Sequence, residues 1–384
     1  MKKITTNILQ TMKSNLTKSL LVFLFAASCL FPAFAQNDAP EEGTRAIEFP
    51  DIPGYVTLKC DLHMHTVFSD GSVWPDIRVQ EALRDGLDVI AITDHVEYQP
   101  KRKDIPHENR NRGYELAQRS ARETGLVVLN ATEITRSMPP GHFNAIFVKD
   151  VNKLDQKDVM EVFREAKRQG AFVFWNHPHW TSQTPNGVAE LTQMHKDLLA
   201  EDLFGGIEIY NYSTYSDEAL EIAMEHQLTL LGNSDMHNLM DWGYDIPGGG
   251  HRPVTLVFAT EKSEKAMQEA MENRRTAVWF DNTLVGDASY LSPLVEQSLE
   301  IVDKGQGPVP QVVIHNHSDA DYILENLSDY RLHNQARVFI LKAHEATTLQ
   351  VKTLEELDAF TLKFRVLNAF SSPDTHPEIK LVAE

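Results

Sequence analysis

The chain has 384 residues, of which 42% are hydrophobic and 24% charged, and its formal net charge at pH 7 is −19. This length and composition are typical of a folded protein with one large domain and one smaller domain. The acidity argues against sequence-independent binding of nucleic acid, which requires a basic surface, although bound metal ions could still attract a small anionic substrate.

The first 35 residues are predicted to be an export signal. Four lysines precede or flank the start of an apolar run from Leu20 to Leu30, and Ala33-Phe34-Ala35 matches a signal-peptide cleavage site. The run is short for a membrane span. A weak lipoprotein box ends at Cys29, but apolar residues continue beyond it, so a lipid anchor is the less favoured alternative. We therefore expect an exported protein, periplasmic or extracellular, that begins at Gln36 and has no membrane span.

The mature chain would retain one cysteine, Cys60, which excludes an intrachain disulfide. Loss of the four lysines in the signal would change the formal charge from −19 to −23. Residues 36–55 begin with a polar and acidic stretch, and we predict a flexible leader there.

Residues 56 to about 237 alternate between apolar runs and amphipathic patterns, which predicts alternating strands and helices within a domain of residues 56–285. The predicted strands are Val56–Leu62, Val89–Thr93, Val127–Ala131, Phe143–Val148, Ala171–Trp175, Gly206–Tyr210 and Thr229–Leu231. The predicted helices are Asp76–Arg84, Glu108–Glu123, Gln156–Gln169, Val188–Ala200 and Asp217–His226. Continuous apolar runs are typical of buried parallel strands. Seven β units favour an α/β barrel over an open sheet, and functional residues of such barrels lie at the carboxyl ends of the strands.

Nine of the histidine and acidic residues in this region are candidate metal ligands, and most follow directly after a predicted strand. They are His63, His65, Asp70, His95, Glu133, His142, His177, Asp235 and His237. Imidazole and carboxylate groups are ligands of Zn, Mn and Fe. Residues two apart on a strand point to the same face, so His63 and His65 can meet one ion. The pattern predicts a multinuclear metal site and therefore an enzyme.

The local sequence bears on the assignment of several of these positions. Asp70 lies in Phe-Ser-Asp-Gly, which is also an ordinary turn signature. Only eight residues separate Glu133 from His142, too few for a crossover helix, so we expect a tight loop that keeps both side chains at one rim. In Asn-His177-Pro-His179, His177 is nearer to the strand end, and His179 is assigned a supporting or substrate contact.

The character of the sequence changes from about Tyr290. Alternating patterns at Gln311–His315, Arg337–Leu341 and Phe360–Val366 are separated by turn-forming residues. We predict a small β-sandwich domain over residues 286–384. The remaining histidines are expected to be mostly surface residues, apart from His251, which follows three consecutive glycines.

These motifs together resemble the PHP (polymerase and histidinol phosphatase) superfamily over roughly residues 57–240. The resemblance lies in Asp-Leu-His63-Met-His65, Asp70-Gly, Thr-Asp-His95, Glu133, His142, Asn-His177-Pro and Ser-Asp235-Met-His237. It implies a distorted (β/α)7, TIM-like barrel with two or three divalent ions, Zn, Mn or Fe. The implied ligand sets are His63, His65, Glu133 and Asp235 for one ion; Glu133, His142 and His177 for a second; and Asp70, His95 and His237 for a third. Some members have His in place of Asp70, and the oxygen ligand favours Mn or Fe over Zn.

The resemblance implies hydrolysis of a phosphoester. Two neighbouring ions can hold a bridging hydroxide and polarise a phosphoryl oxygen, so no side-chain nucleophile is needed. Arg136, in the loop after Glu133, and Arg252, after the glycine loop, are candidates to bind the phosphate. The expected substrate is a small phosphomonoester or phosphodiester, and the sequence leaves the oligomeric state open.

Two alternatives stay open. The first is a metal-dependent hydrolase of another bond, such as an amide or a lactone, although the sequence offers no candidate for a carbamylated lysine. The second is a non-catalytic cell-surface binding protein whose barrel is inert, for which we would expect missing ligands.

Overall fold

The computed structural model describes residues 46–384, so the predicted export signal lies outside the described residues. The strands of its first part are β1 (Val56–Asp61), β2 (Val89–Ile92), β3 (Val127–Thr135), β4 (His142–Ile146), β5 (Phe172–Trp175), β6 (Gly206–Asn211), β7 (Thr214–Tyr215), β8 (Thr229–Asn233), β9 (Val254–Ala259), β10 (Thr276–Phe280) and β11 (Thr283–Gly286). The helices are α1 (Pro75–Arg84), α2 (Arg112–Ser120), α3 (Val159–Gln169), α4 (Gln193–Ala200), α5 (Asp217–His226), α6 (Met240–Gly243), α7 (Glu264–Glu272) and α8 (Ala288–Ser298), with a short 3-10 turn at Val151–Leu154. The alternation of strands and helices agrees with the prediction.

The remaining strands belong to the C-terminal part of the chain. They are β12 (Leu299–Lys304), β13 (Gln311–Asn316), β14 (Tyr322–Asn326), β15 (Arg331–Leu332), β16 (Val338–Leu341), β17 (Ala346–Lys352), β18 (Phe360–Val366), β19 (Ala369–Phe370) and β20 (Glu378–Ala383). Two four-stranded sheets form, in the orders β12-β13-β17-β15 and β16-β14-β18-β20. Side chains along β18 alternate between buried and more exposed, which is the pattern of a sheet with one face in a core. The predicted sandwich is confirmed.

The first part of the chain forms a mixed half-barrel sheet, in the order β19-β11-β10-β9-β1-β2-β3-β4-β5-β6-β7, with β8 paired to β6. Strands β1, β2 and β3 pair in parallel, as do β5, β6 and β8. Parallel strands connected through helices bring their carboxyl ends to one rim.

The prediction of parallel strands is wrong for β4, which pairs antiparallel with both β3 and β5. The physical reason is the short connection between Glu133 and His142. A parallel pair needs a crossover of a dozen or more residues, whereas a short loop can close only an antiparallel hairpin. The hairpin puts the end of β3 and the start of β4 at the same rim, as the short spacing predicted.

One hydrophobic core continues from the half-barrel into the sandwich. Leu291 and Leu294 of α8 belong to the same buried cluster as Trp279 of β10 and Phe364 of β18. The short strand β19 leaves the sandwich and pairs in parallel with β11. The two parts are therefore joined by shared packing across the predicted boundary at residue 286.

The predicted flexible leader is packed where the structure describes it, from residue 46 onwards. Ile47, Phe49 and Ile52 are buried in the shared core, and the Phe49 ring meets Trp279 edge-on with centroids 5.1 Å apart. The backbone N–H of Glu48 donates to an Asp319 carboxylate oxygen at 2.8 Å. The predicted flexibility was based on the acidic residues of this stretch and did not consider its apolar ones. Burial of these apolar side chains stabilises an ordered conformation of residues 46–55.

Within residues 46–384, no helix has both the length and the hydropathy that crossing a membrane requires.

Candidate metal centre

The nine predicted ligands come together at the rim formed by the carboxyl ends of the parallel strands. Seven of them line a cavity of about 540 Å³: Asp70, His95, Glu133, His142, His177, Asp235 and His237. His63 and His65 are fully buried. Three groups within the nine have ligand atoms close enough to hold an ion each.

The first group consists of His63, His65 and Asp235. The segments after β1 and β8 run side by side, with the N–H of Asp235 donating to the His63 carbonyl at 2.8 Å. Asp235 Oδ1 then lies 3.2 Å from His63 Nε2 and 3.1 Å from His65 Nε2. One carboxylate oxygen therefore faces the same nitrogen of both rings.

The second group consists of His63, Glu133 and His177. His142 Nδ1 lies 2.8 Å from Glu133 Oε1, and His177 Nε2 lies 3.5 Å from the same oxygen. The other carboxylate oxygen, Oε2, lies 3.8 Å from His63 Nε2. Glu133 thus stands between the buried histidines and the cavity, as a bridging carboxylate would, and His142 stays within reach of the group to which the resemblance assigns it.

The third group consists of His65, Asp70, His95 and His237. Asp70 Oδ1 lies 3.3 Å from His95 Nε2 and 3.2 Å from His237 Nε2. His65 Nδ1 lies 3.8 Å from the same oxygen. Asp70 is therefore a member of the cluster, which argues against the alternative of a plain turn residue.

The donor atoms of the cluster fit metal binding because several are buried without a hydrogen-bond partner. These include His63 Nε2, His65 Nε2 and Asp70 Oδ1. Buried polar atoms almost always have a partner, and an orphaned one costs stability. Two atoms that bind one ion at about 2.0–2.2 Å lie roughly 3 Å apart, and His63 Nε2 and His65 Nε2 lie 3.2 and 3.1 Å from Asp235 Oδ1. A divalent ion would supply the missing partner.

Glu208 holds two of the histidines and was missed by the sequence analysis. It is fully buried in β6, with one carboxylate oxygen 2.8 Å from His63 Nδ1. Its other oxygen accepts hydrogen bonds from the His177 N–H at 2.8 Å and from Asn211 Nδ2 at 2.9 Å. A carboxylate on the far nitrogen of a ligating histidine fixes the orientation of the ring. Its signal in the sequence is a lone charged residue between Ile207 and Ile209 in an apolar strand.

Asp94 holds the loop that carries Asp70. Its carboxylate accepts hydrogen bonds from the Thr66 N–H, the Thr66 hydroxyl and the Ser69 hydroxyl, each at 2.7 Å. These bonds close the loop between His65 and Asp70 and so bring both side chains to the same group.

The backbone at the rim adopts conformations that L side chains rarely take. φ is 29° at His177, 50° at Asp235 and 55° at Tyr212. A non-glycine residue in this region costs of order 1–3 kcal/mol and persists where the surroundings enforce it, which is most often at functional sites. Two of the three are predicted ligands, and the third lines the same cavity.

The pKa values of the histidines and carboxylates in the cluster depend on one another. Burial, together with neighbouring His237 and His95, lowers the pKa of His65 to about 3. Burial also opposes protonation of His95, but Glu133 and Asp70 outweigh it and raise its pKa to about 10. Burial works against ionisation of Asp235, yet the surrounding histidines hold its pKa below the usual range. Metal ions would displace the bound protons, so metal affinity should fall as the pH falls.

The position of Arg252 does not fit the predicted phosphate-binding role. Its side chain is fully buried, and the guanidinium donates to Asp85 at 2.6 Å and to Asp61 at 3.1 Å. An arginine that pairs with two buried carboxylates stabilises the core and is not available to bind a substrate phosphate. Three glycines before it suggested an accessible loop, but the chain re-enters the core immediately afterwards.

Arg136 and His179 also lie outside the residues that line the cavity. Arg136 Nη2 donates to the Gln156 carbonyl at 2.6 Å and lies 2.8 Å from a Glu97 carboxylate oxygen, so its charge is already paired. His179 Nε2 lies 2.8 Å from the hydroxyl of Thr214, which does line the cavity. The predicted phosphate role therefore does not fit Arg136, whereas a supporting role for His179 stays a prediction.

His195, expected among the surface histidines, is fully buried. Its Nε2–H donates to the Pro140 carbonyl at 2.7 Å, and its Nδ1 accepts from the Thr192 N–H at 3.0 Å. The ring packs on Trp175 with centroids 4.1 Å apart. It thereby anchors the hairpin loop that leads into His142.

The comparisons with known proteins agree with this geometry. A family model described as the PHP domain matches residues 61–240, and one described as an Ig-like domain matches residues 297–382. A crystal structure of a two-domain protein from Bacteroides vulgatus, containing a predicted PHP-like metal-dependent phosphoesterase, is 40% identical. That similarity covers 88% of this chain and 98% of that one, with a TM-score of 0.80.

More distant structures share less with the chain. An amidohydrolase from Chromobacterium violaceum is 16% identical over 50% of this chain and 97% of that one, with a TM-score of 0.34. A lesion-specific endonuclease from Pyrococcus furiosus is 13% identical over 75% of this chain and 70% of that one, with a TM-score of 0.42. A search of curated proteins finds no match. Because the 40% identity extends through both domains, the chain belongs to the family of proteins that join a PHP-like metal-dependent phosphoesterase domain to an Ig-like domain.

Proposed function

We propose that the protein hydrolyses a phosphomonoester or a small phosphodiester, with water attacking phosphorus and an alcohol leaving. The observation that carries the proposal is the convergence of buried imidazole nitrogens and carboxylate oxygens that lack hydrogen-bond partners. Such a donor set suits Zn, Mn or Fe. A non-catalytic binding protein would have no need to maintain it.

Two or three divalent ions would activate the attacking water and polarise a phosphoryl oxygen. The chain itself positions the donors. Glu208 meets His63 at Nδ1, which leaves Nε2 as the donor toward an ion. Glu133 directs one oxygen toward His142 and the other toward His63, so a single carboxylate serves two neighbouring positions.

We further propose a small substrate and an exported protein. The cavity of about 540 Å³ has room for a small organic phosphate. The formal charge of −19 argues against a nucleic acid partner. Export rests on the N-terminal sequence alone, where the apolar run is followed by Ala33-Phe34-Ala35.

The test combines metal analysis of the purified mature protein with hydrolysis of nitrophenyl phosphate and bis-nitrophenyl phosphate. We expect two or three Mn, Fe or Zn ions per chain, loss of turnover on chelation and recovery when the metal is returned. The ratio of the two rates separates monoester from diester activity.

Two results would contradict the proposal. A full metal complement without turnover of either ester would indicate a different scissile bond, such as an amide or a lactone. Protein without metal, even after incubation with Mn, Fe and Zn, would favour the inert binding protein.

A further inference from the structure

Four exposed aromatic side chains line the cavity that contains the predicted metal ligands. The exposed fractions are 52% for Tyr98, 43% for Trp180, 42% for Tyr212 and 72% for Trp242. They come from the loops after β2, β5 and β6 and from α6, which are distant in sequence. Exposed large apolar side chains gathered at one cleft mark a binding surface more often than scattered ones do.

Two of the four rings contact predicted metal ligands, and a third packs on a neighbouring buried tyrosine. The Tyr98 ring lies edge-on to His95, with centroids 5.8 Å apart. Trp180 lies edge-on to His177 at 5.1 Å. Tyr212 has the left-handed φ of 55° described above, and its ring centroid is 5.7 Å from that of Tyr244. Tyr98 and Trp180 are therefore positioned directly against predicted metal ligands, and Tyr212 is positioned by its backbone and by Tyr244.

Gly243 shows how closely the rim is packed around Tyr212. A Cβ at this position would lie 2.3 Å from Met236 Cε and 3.1 Å from a ring carbon of Tyr212. Glycine lets both side chains approach the backbone of α6 here, and a larger residue would require the Met236 methyl to move.

The cavity offers little to match a second charged group on a substrate. None of its lining residues, all within residues 46–384, is a lysine or an arginine. Lys101 is close by, but its ammonium donates to the backbone carbonyls of Asp70 and Gly71. Besides the predicted ligands and the aromatic rings, the lining includes the neutral polar side chains of Asn211, Thr214 and Asn238.

We propose that the alcohol released from the phosphoester carries a neutral ring, as in a sugar or a nucleoside, and that this ring stacks on the aromatic rim. This inference rests on the proposed phosphoesterase activity. The metal ions would account for the phosphate charge, ring faces would contact aromatic faces, and neutral side chains would bond to hydroxyl or amide groups. A short acyclic alcohol would leave the rings without a partner.

The test compares kcat/KM for three esters with the metal-loaded protein: glucose 1-phosphate, adenosine 5′-monophosphate and glycerol 3-phosphate. We expect at least one ring-bearing ester to exceed the acyclic one by about tenfold or more, and Trp242→Ala to reduce that ratio by about tenfold. Trp242 is the most exposed of the four rings, so truncation should leave the metal content unchanged. The matched control is Trp74→Ala, an exposed tryptophan that does not line the cavity.

Comparison of kcat/KM for glucose 1-phosphate and adenosine 5′-monophosphate shows whether the preferred ring is that of a sugar or of a nucleoside. Equal kcat/KM for all three esters, or an unchanged ratio in Trp242→Ala, would overturn the inference. A preference for an oligonucleotide over each small ester would also overturn it, in favour of a polymeric substrate.

A binding measurement separates failure of this inference from failure of the proposed activity. Calorimetric titration with adenosine, glucose and glycerol requires no turnover. If neither these three esters nor the two nitrophenyl esters are hydrolysed, the phosphoesterase proposal fails, and titration decides the ring inference independently. Tighter binding of a ring-bearing alcohol than of glycerol, lost in Trp242→Ala, would support it, and equal or absent binding would overturn it.

Discussion

Among residues 46–384, the buried side-chain nitrogen and oxygen atoms that lack a hydrogen-bond partner all lie in the half-barrel, at residues 63 to 279, and none lies in the sandwich. Five of the twelve belong to predicted metal ligands. In the sandwich, buried Tyr322 is paired at its hydroxyl with both Ser298 and Ser318 at 2.9 Å. In the sandwich, the described buried polar side-chain atoms have hydrogen-bond partners within the chain. At the rim of the half-barrel, several lack such partners and are available to bind a metal ion.

The same contrast appears in a motif that both regions share. His63-Met-His65 and His315-Asn-His317 each place two histidines two residues apart at or just after the end of a strand. The first pair is fully buried and faces Asp235. In the second, the His317 side chain is 46% exposed, and its partner Glu300 is 62% exposed. Only the first pair has buried carboxylates around it, and that is where the metal site is predicted.

The largest expected effect comes from breaking the buried motif. His63→Ala removes a donor that belongs to two of the three ligand groups. We expect turnover of a phosphoester to fall by on the order of 10³-fold and the metal content to fall by at least one ion per chain. Elemental analysis and initial rates measure both quantities. His315→Ala is the matched control and should change neither, and a His63→Ala protein with full metal content and full activity would contradict the proposed centre.

Most ligand positions could be predicted from the sequence because they lie one to four residues after the end of a strand: His63, His65, His95, His177, Asp235 and His237. A strand ends, and the side chain one to four residues later reaches the rim, so the residue type and the spacing carry the information. This logic placed His95, His177 and Asp235 at the carboxyl ends of β2, β5 and β8. The reversal of β4 was also implicit in the short spacing between Glu133 and His142, although the strand was expected to be parallel.

The residues that the sequence did not predict depend on contacts between distant parts of the chain. Arg252 pairs with Asp61 and Asp85, which are 191 and 167 residues away. Glu208 reaches His63 across 145 residues. Nothing near Arg252 in the sequence distinguishes a buried ion pair from a phosphate ligand. An arginine that follows a glycine loop can serve in either role.

A buried and an exposed arginine should therefore respond differently to truncation. Arg252→Met leaves Asp61 and Asp85 buried without their shared cation, and we expect a loss of about 3–5 kcal/mol in the free energy of unfolding. Arg365 of the sandwich, 39% exposed at its side chain, pairs with Glu325 and Glu378. Arg365→Met should cost about 1 kcal/mol or less. Urea denaturation measures both, and a raised KM in folded Arg252→Met at unchanged stability would restore the phosphate-binding role.

His195 gives a smaller, pH-dependent effect. Burial lowers its pKa to about 4 from the ordinary value of 6.5, because the fold favours the neutral ring. Above pH 6.5 the ring is neutral in both states. As the pH falls from 6.5 to 4, the unfolded state gains the proton first, so stability is lost, by about 3 kcal/mol in total.

The measurement is the difference in unfolding free energy between the wild type and His195→Gln, with both proteins chelated, from pH 7.5 to pH 4. The wild type should lose its advantage across this window, because glutamine does not titrate. A difference that stays constant with pH would contradict a neutral buried His195.

The smallest expected effect tests the sandwich, where every described buried side-chain nitrogen and oxygen has a partner. Tyr322→Phe keeps the buried ring and removes the hydroxyl that Ser298 and Ser318 both contact. We expect a loss of about 1 kcal/mol in the free energy of unfolding, because two buried hydroxyls lose a partner, and no change in metal content or turnover. Chemical denaturation and metal analysis check the two halves of this expectation. Reduced metal content in Tyr322→Phe would show that the sandwich supports the rim through the shared core, and the two regions could then no longer be treated as independent.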